Sequence, residues 1–121
     1  VYGNDGMDEI TITAPTTIAD IEGPRVTLRT FHPESVGIAR APVSALQVHS
    51  PAESAARIRA ILAGEKSPCR DIALLNAGAA LCVAGVAHTH AEGVAKAAQS
   101  VDSGAAARTL EALVRLSHQP A

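Results

Sequence analysis

The sequence predicts an α/β fold, a few N-terminal strands including a hairpin followed by a helical layer, and three observations carry that prediction. Up to Thr30, apolar and polar residues alternate at period two, the spacing of a half-buried strand. Beyond Ser50, apolar residues recur at helical spacing behind capping motifs. Glycine and proline mark the joints between these runs.

In chain order, Val1-Tyr2 reads as the end of an apolar strand, and the glycine-rich stretch Gly3 to Ile10 follows it directly. Glu9 to Thr13 alternates, and after Pro15 a second β-type run, Thr16 to Ile21, leads into Glu22-Gly23-Pro24. Arg25 to Thr30 alternates again, so these runs read as a hairpin with Val26 and Leu28 inward and the arginines toward solvent. Pro33 to Gly37 reads as one short helical turn, and Ile38 to His49, which has no sustained period, as a surface crossing. Ser50-Pro51-Ala52-Glu53 then starts a helix, with Ser50 placed to accept from the amide of Glu53 and Pro51 at the first helical position. Such a cap contributes about 1 kcal/mol. Ala55, Ile58, Ile61 and Leu62 form its apolar stripe, and Gly64 supplies the stop.

Ser67-Pro68 opens the next helix, expected to run to Ala87 and apolar on every side. Glycines, alanines and Asn76 argue for the buried centre of a domain rather than a membrane span. Beyond Asp71, Asn76 is its one polar group, expected to hydrogen-bond a neighbouring backbone, while Gly78 and Gly85 would permit close backbone contact. Thr89-His90-Ala91-Glu92 is a second capping box, opening a helix to about Val101. Ser103-Gly104 breaks it before a last helix through Leu116.

A chain of 121 residues fits one domain with one modest core, which small side chains must fill because Tyr2 and Phe31 are the only aromatics. Net charge of −2 gives no basic field for nucleic acid and no polybasic membrane anchor. Cys69 and Cys82 lack metal-ligand spacing, and nothing at the N-terminus has the pattern of a signal peptide, so a cytoplasmic location is expected. The chain opens at Val1, without Met and inside a strand, the pattern of a fragment or a processed piece.

Chemistry concentrates in Gly3-Asn4-Asp5-Gly6-Met7-Asp8-Glu9-Ile10. Asp8 and Glu9 supply the hard oxygen ligands Mg²⁺ prefers, beside glycines that let a backbone approach a ligand. On local sequence alone the favoured reading is plainer: Asn4-Asp5-Gly6 is a hairpin turn and Asp8-Glu9 a solvated strand entry. His88 and His90, two residues apart at a helix start, fall on different helical faces and do not make a ligand pair. No nucleophile elbow and no G-x-x-x-x-G-K or G-x-G-x-x-G run is present, so no catalytic residue is assigned.

Several stretches, in order, resemble anthranilate phosphoribosyltransferase, specifically its C-terminal third. They are Val1-Tyr2-Gly3 with Gly6-Met7-Asp8-Glu9-Ile10, Ala14-Pro15-Thr16, Pro33-Glu34-Ser35-Val36-Gly37, Arg70-Asp71 with Leu74-Leu75-Asn76-Ala77, Glu92-Gly93-Val94 and Asp102-Ser103-Gly104-Ala105. The resemblance implies a partial phosphoribosyltransferase or nucleoside-phosphorylase-like domain. Residues 1–121 would be the C-terminal portion of the large α/β domain, without the N-terminal helical domain and phosphate loop. That family joins phosphoribosyl pyrophosphate to anthranilate with Mg²⁺ and forms homodimers through the helical domain. Asp8 and Glu9 match its metal-binding acid pair, whereas its anthranilate-binding residues would lie upstream of Val1, so the chain alone is expected to be inactive. Two departures are Tyr2, where the family usually has His, and Val48-His49 before Ser50, in place of a glycine-rich pair. The alternative is a non-catalytic relative of the same fold that binds nucleic acid, which would need a basic groove.

Overall fold

The computed structural model describes residues 1–119. Strands β1 (Tyr2–Gly3), β2 (Thr16–Glu22) and β3 (Arg25–Phe31) form an antiparallel sheet in the order β1-β2-β3. Two 3₁₀ turns, Pro33–Val36 and Val43–Ala45, lead to helices α1 (Pro51–Leu62), α2 (Pro68–Val83), α3 (His90–Asp102) and α4 (Ala105–Ser117).

The expected hairpin is β2–β3, paired from Thr16 opposite Phe31 to Glu22 opposite Arg25. Its two-residue loop begins with Gly23 at φ 57°, the residue that a type II′ loop requires at its first central position. The inward face, however, is the other one: Val26 and Leu28 are 59% and 69% exposed. Register explains this correction. Phe31 is buried opposite Thr16, so the core side of β3 is that of Phe31 and Arg29, and Val26 and Leu28 fall on the opposite side with Ile21 and Ala19. The hairpin enters the core only at its base, through Thr16, Ile18 and Phe31; from Ala19 outward both faces are open. Arg29 pairs with Asp20 at 2.6 Å, and Arg25 pairs with Glu22.

Residues 9–13, expected as a strand, form none. Ile10, Thr11 and Ile12 are each at most 1% exposed, so three consecutive side chains are covered from all sides, which an open-faced strand does not allow. The segment is held instead by single bonds: the Thr11 amide donates to Thr16 Oγ1, and the Ala41 amide to the Ile12 carbonyl. Ile10 and Ile12 thereby join Ile18, Phe31, Ile38 and Leu75 in the core at the junction of hairpin and helices.

The helix starts follow the caps. Ser50, Ser67 and Thr89 accept from the amides of Glu53, Arg70 and Glu92 at 3.1, 3.3 and 3.1 Å. Helix α2 ends at Val83 rather than Ala87, because Gly85 takes φ 71° and serves as the stop rather than as a contact. Its expected central position is also only half met. Leu74, Leu75 and Gly78 are buried, but Ala73, Ala77, Ala80 and Ala84 are exposed along an apolar groove of about 620 Å³ beside Ile61 and Val101. Among the described residues, no helix is long and apolar enough to cross a membrane.

Helices α2 and α3 cross at Gly78 and Gly93. A Cβ on Gly93 would overlap the Gly78 carbonyl, and one on Gly78 would sit 2.7 Å from the Val94 nitrogen. Alanine would gain about 1 kcal/mol in helix propensity, but backbone overlap costs about 1–3 kcal/mol or more. Gly93→Ala is therefore expected to lower unfolding free energy in urea by roughly 2 kcal/mol; an increase would contradict this crossing.

Candidate metal-binding loop

The glycine-rich stretch leaves β1 and folds on itself. The Gly6 amide donates to the Gly3 carbonyl and the Gly3 amide to the Met7 carbonyl, both at 2.8 Å, with Gly6 at φ 92°. Asp5 braces the loop: Oδ1 accepts from the Met7 amide at 3.1 Å, and Oδ2 accepts from Thr11 Oγ1 at 2.7 Å and from Thr13 Oγ1. Asn4-Asp5-Gly6 is thus a turn, but not one joining two paired strands, since β1 pairs with β2.

Asp8 and Glu9 leave this turn in a bend, both exposed, so the opposite-face rule of a regular strand does not separate them. Asp8 has no hydrogen-bond partner among the described residues, and Glu9 uses Oε2 alone, accepting from Asn76 Nδ2 at 3.1 Å. Glu9 also lines a cleft with Gln47, Ser54 and Arg57.

The two hydrogen-bonded carboxylates shift in opposite directions. Partial desolvation pushes Asp5 up, but hydrogen bonds from Thr13, Thr11, the Met7 amide and its own amide bring it below its ordinary 3.8. Glu9 moves the other way, raised from 4.5 by desolvation and then by the charges of Asp8 and Asp5. Burial and the neighbouring acids thus disfavour the charged form of Glu9.

The donor set fits Mg²⁺, which takes one or two carboxylates and completes its shell with water and phosphate oxygens. It does not suit a metal caged by protein alone, because no group of three or more His, Cys, Asp or Glu ligands occurs among the described residues. The histidines do not converge: His90 donates from Nε2 to the Leu75 carbonyl at 2.8 Å and packs on Phe31 at 4.6 Å, while His88 is exposed.

Sequence reasoning missed two supports of the loop. Asp5 carried only a turn signal, and Asn76 was expected to meet backbone, which it does at Ile10, but not Glu9. A lone amide in an apolar helix was the available sign.

A family profile described as "Glycosyl transferase family, a/b domain" matches residues 1–107. The chain belongs to that family. Within it, the chain is 50% identical to the anthranilate phosphoribosyltransferase of Thioalkalivibrio sulfidiphilus, over 94% of this chain and 34% of the relative. It is 49% identical to that of Methylobacterium nodulans, over 98% and 35%. Among solved structures, anthranilate phosphoribosyltransferase from Thermus thermophilus superposes with TM-score 0.84 at 35% identity, covering 93% of this chain and 33% of that one. A variant of the Saccharomyces cerevisiae enzyme with Mg bound gives 0.81 at 28% identity, over 91% and 32%. The chain spans about a third of the length of these relatives.

Because Asp5 is depressed on folding, its stabilising effect is present above its unfolded pKa and is lost as pH falls through the lower folded one. Asp5→Asn is expected to be less stable than the parent at pH 7, with the gap shrinking as both are acidified toward pH 3. Thermal melts across this range check it; a gap independent of pH would contradict the assignment.

Proposed function

We propose that this chain is the C-terminal portion of the large α/β domain of an anthranilate phosphoribosyltransferase, and that its acid loop holds Mg²⁺ against the pyrophosphate of phosphoribosyl pyrophosphate. The observation that carries this is the exposed Asp8-Glu9 bend, two carboxylates with uncommitted oxygens on a loop fixed from both sides. Relatives named for this activity, one solved with PRPP and Mg, support the choice of substrate and ion.

Mg²⁺, when bound, neutralises charge on the departing pyrophosphate. The chain's own residues do the rest of the local work. Asp8 and Glu9 bind the ion, directly or through one water. Asp5 holds the turn that aims them, and Gly6 leaves open space above the backbone, with nothing beyond its chain neighbours within 4 Å of where a Cβ would stand. In this reading, catalysis is electrostatic and involves no covalent intermediate on this chain.

The anthranilate-binding groups, the phosphate loop and a dimer-forming helical domain belong, in the same reading, to other parts of the subunit. Open apolar faces support such packing: Ile21, Val26 and Leu28 on the hairpin, and Val83 at 90% exposure at the end of α2. A cytoplasmic enzyme without nucleic-acid or membrane partners fits the charge pattern, in which Arg25, Arg29, Arg40 and Arg57 each pair with an acid. The chain by itself is proposed to be inactive.

In the intact protein, Asp8→Asn and Glu9→Gln are each expected to raise the Mg²⁺ concentration for half-maximal rate about tenfold and to weaken phosphoribosyl pyrophosphate. Melting temperature should stay nearly unchanged and anthranilate binding should be less affected. Wild-type Mg²⁺ dependence with lost thermal stability would return the pair to an ordinary loop feature.

A further inference from the structure

Among the described residues, Asn76 is the one side chain that hydrogen-bonds both the Ile10 backbone and the Glu9 carboxylate of the acid loop. It lies in the third turn of α2, among Leu74, Leu75, Ala77 and Gly78, where an amide has poor helix propensity and no apolar use. Its Oδ1 accepts from the Ile10 amide at 3.0 Å, and Nδ2 lies 2.8 Å from the Ile10 carbonyl, 3.0 Å from the Ile72 carbonyl and 3.1 Å from Glu9 Oε2. The orientation of the amide is fixed by chemistry: the Ile10 N–H can only donate, so the oxygen must face it and the NH₂ must face the carbonyls and Glu9.

Two hydrogens on Nδ2 serve three acceptors. Ile72 is one turn back on the same helix and its carbonyl accepts the helical bond, so it loses least when Nδ2 turns toward the loop. The Ile10 pair pins the backbone next to Glu9, and the remaining contact holds the Glu9 carboxylate by one oxygen. The other oxygen, Oε1, is left for a ligand.

We infer that Asn76 is a positioning residue for the acid loop, fixing the Ile10 backbone and Glu9 Oε2 from α2 so that Glu9 Oε1 is presented to the cation. This rests on the reading of Asp8 and Glu9 as a Mg²⁺ site. Asn76 does not itself reach the ion; it acts through Glu9, as outer partners of metal-bound carboxylates do. A merely structural Asn76 would dock the loop without affecting how Glu9 meets a metal.

A double-mutant cycle separates the two roles. Mn²⁺ affinity of the intact protein in the presence of inorganic pyrophosphate is read from the electron paramagnetic resonance signal of free Mn²⁺. The variants are Glu9→Gln, Asn76→Ser, Asn76→Gln and the two doubles; Asn76→Gln keeps the amide should the serine variant fail to fold. In the parent background, either Asn76 substitution is expected to weaken Mn²⁺ about tenfold. In the Glu9→Gln background the same substitution should have less than about a twofold effect, since the group through which it acts is gone. Equal weakening in both backgrounds, or none in either, overturns the inference while leaving the Mg²⁺ site standing. If Glu9→Gln alone leaves Mn²⁺ affinity unchanged, the site itself has failed and the inference falls with it.

Discussion

The arrangement depends on how the buried backbone of Ile10 is satisfied. Ile10 is 1% exposed and belongs to no strand, so its N–H and C=O have no ladder partner, and leaving either unmet in the interior costs about 1–3 kcal/mol. One side chain, Asn76, meets both. That bond pair spans 66 residues and joins the loop after β1 to the middle of α2. Around it the core closes: Ile10 and Ile12 from the loop, Ile18 and Phe31 from the hairpin base, and Leu75 from the residue before the amide. Placing the acid loop and packing the core are therefore one event.

From that anchor the two ends of the loop take opposite characters. Asp5 faces donors, and its carboxylate is stabilised by the hydroxyls and amide it gathers. Glu9 faces one amide and two acids, and its charge is disfavoured. The loop thus satisfies the Asp5 carboxylate with donors and leaves Glu9 with one amide beside two acids, the contrast on which the proposed cation site rests.

The sequence disclosed the helical half well because its signals are local. Ser50, Ser67 and Thr89 each sit three residues before the amide they cap, and Gly64 and Gly104 stop helices at the positions that composition indicates. The β half was legible in type but not in facing. Alternation in Arg25–Phe31 gives two faces without saying which is inward, and the answer came from Phe31, at the end of the run, being buried. Glu9 to Thr13 misled because period two also describes a segment buried on all sides, where Thr11 spends its hydroxyl on Asp5 and Thr13. Asp8 and Glu9 drew the expectation of a metal site from their composition and from a family resemblance. The Asn76 contact was not, because nothing local to a helix reveals a partner 67 residues away.

The most direct measurement of the central claim is anomalous diffraction from crystals of the intact protein grown with Mn²⁺ and inorganic pyrophosphate. The account predicts a Mn²⁺ peak whose shell includes Asp8 and Glu9, directly or through one water, with Glu9 Oε2 still on Asn76. Mn²⁺ held by other residues, with Asp8 and Glu9 remote from it, would contradict the account.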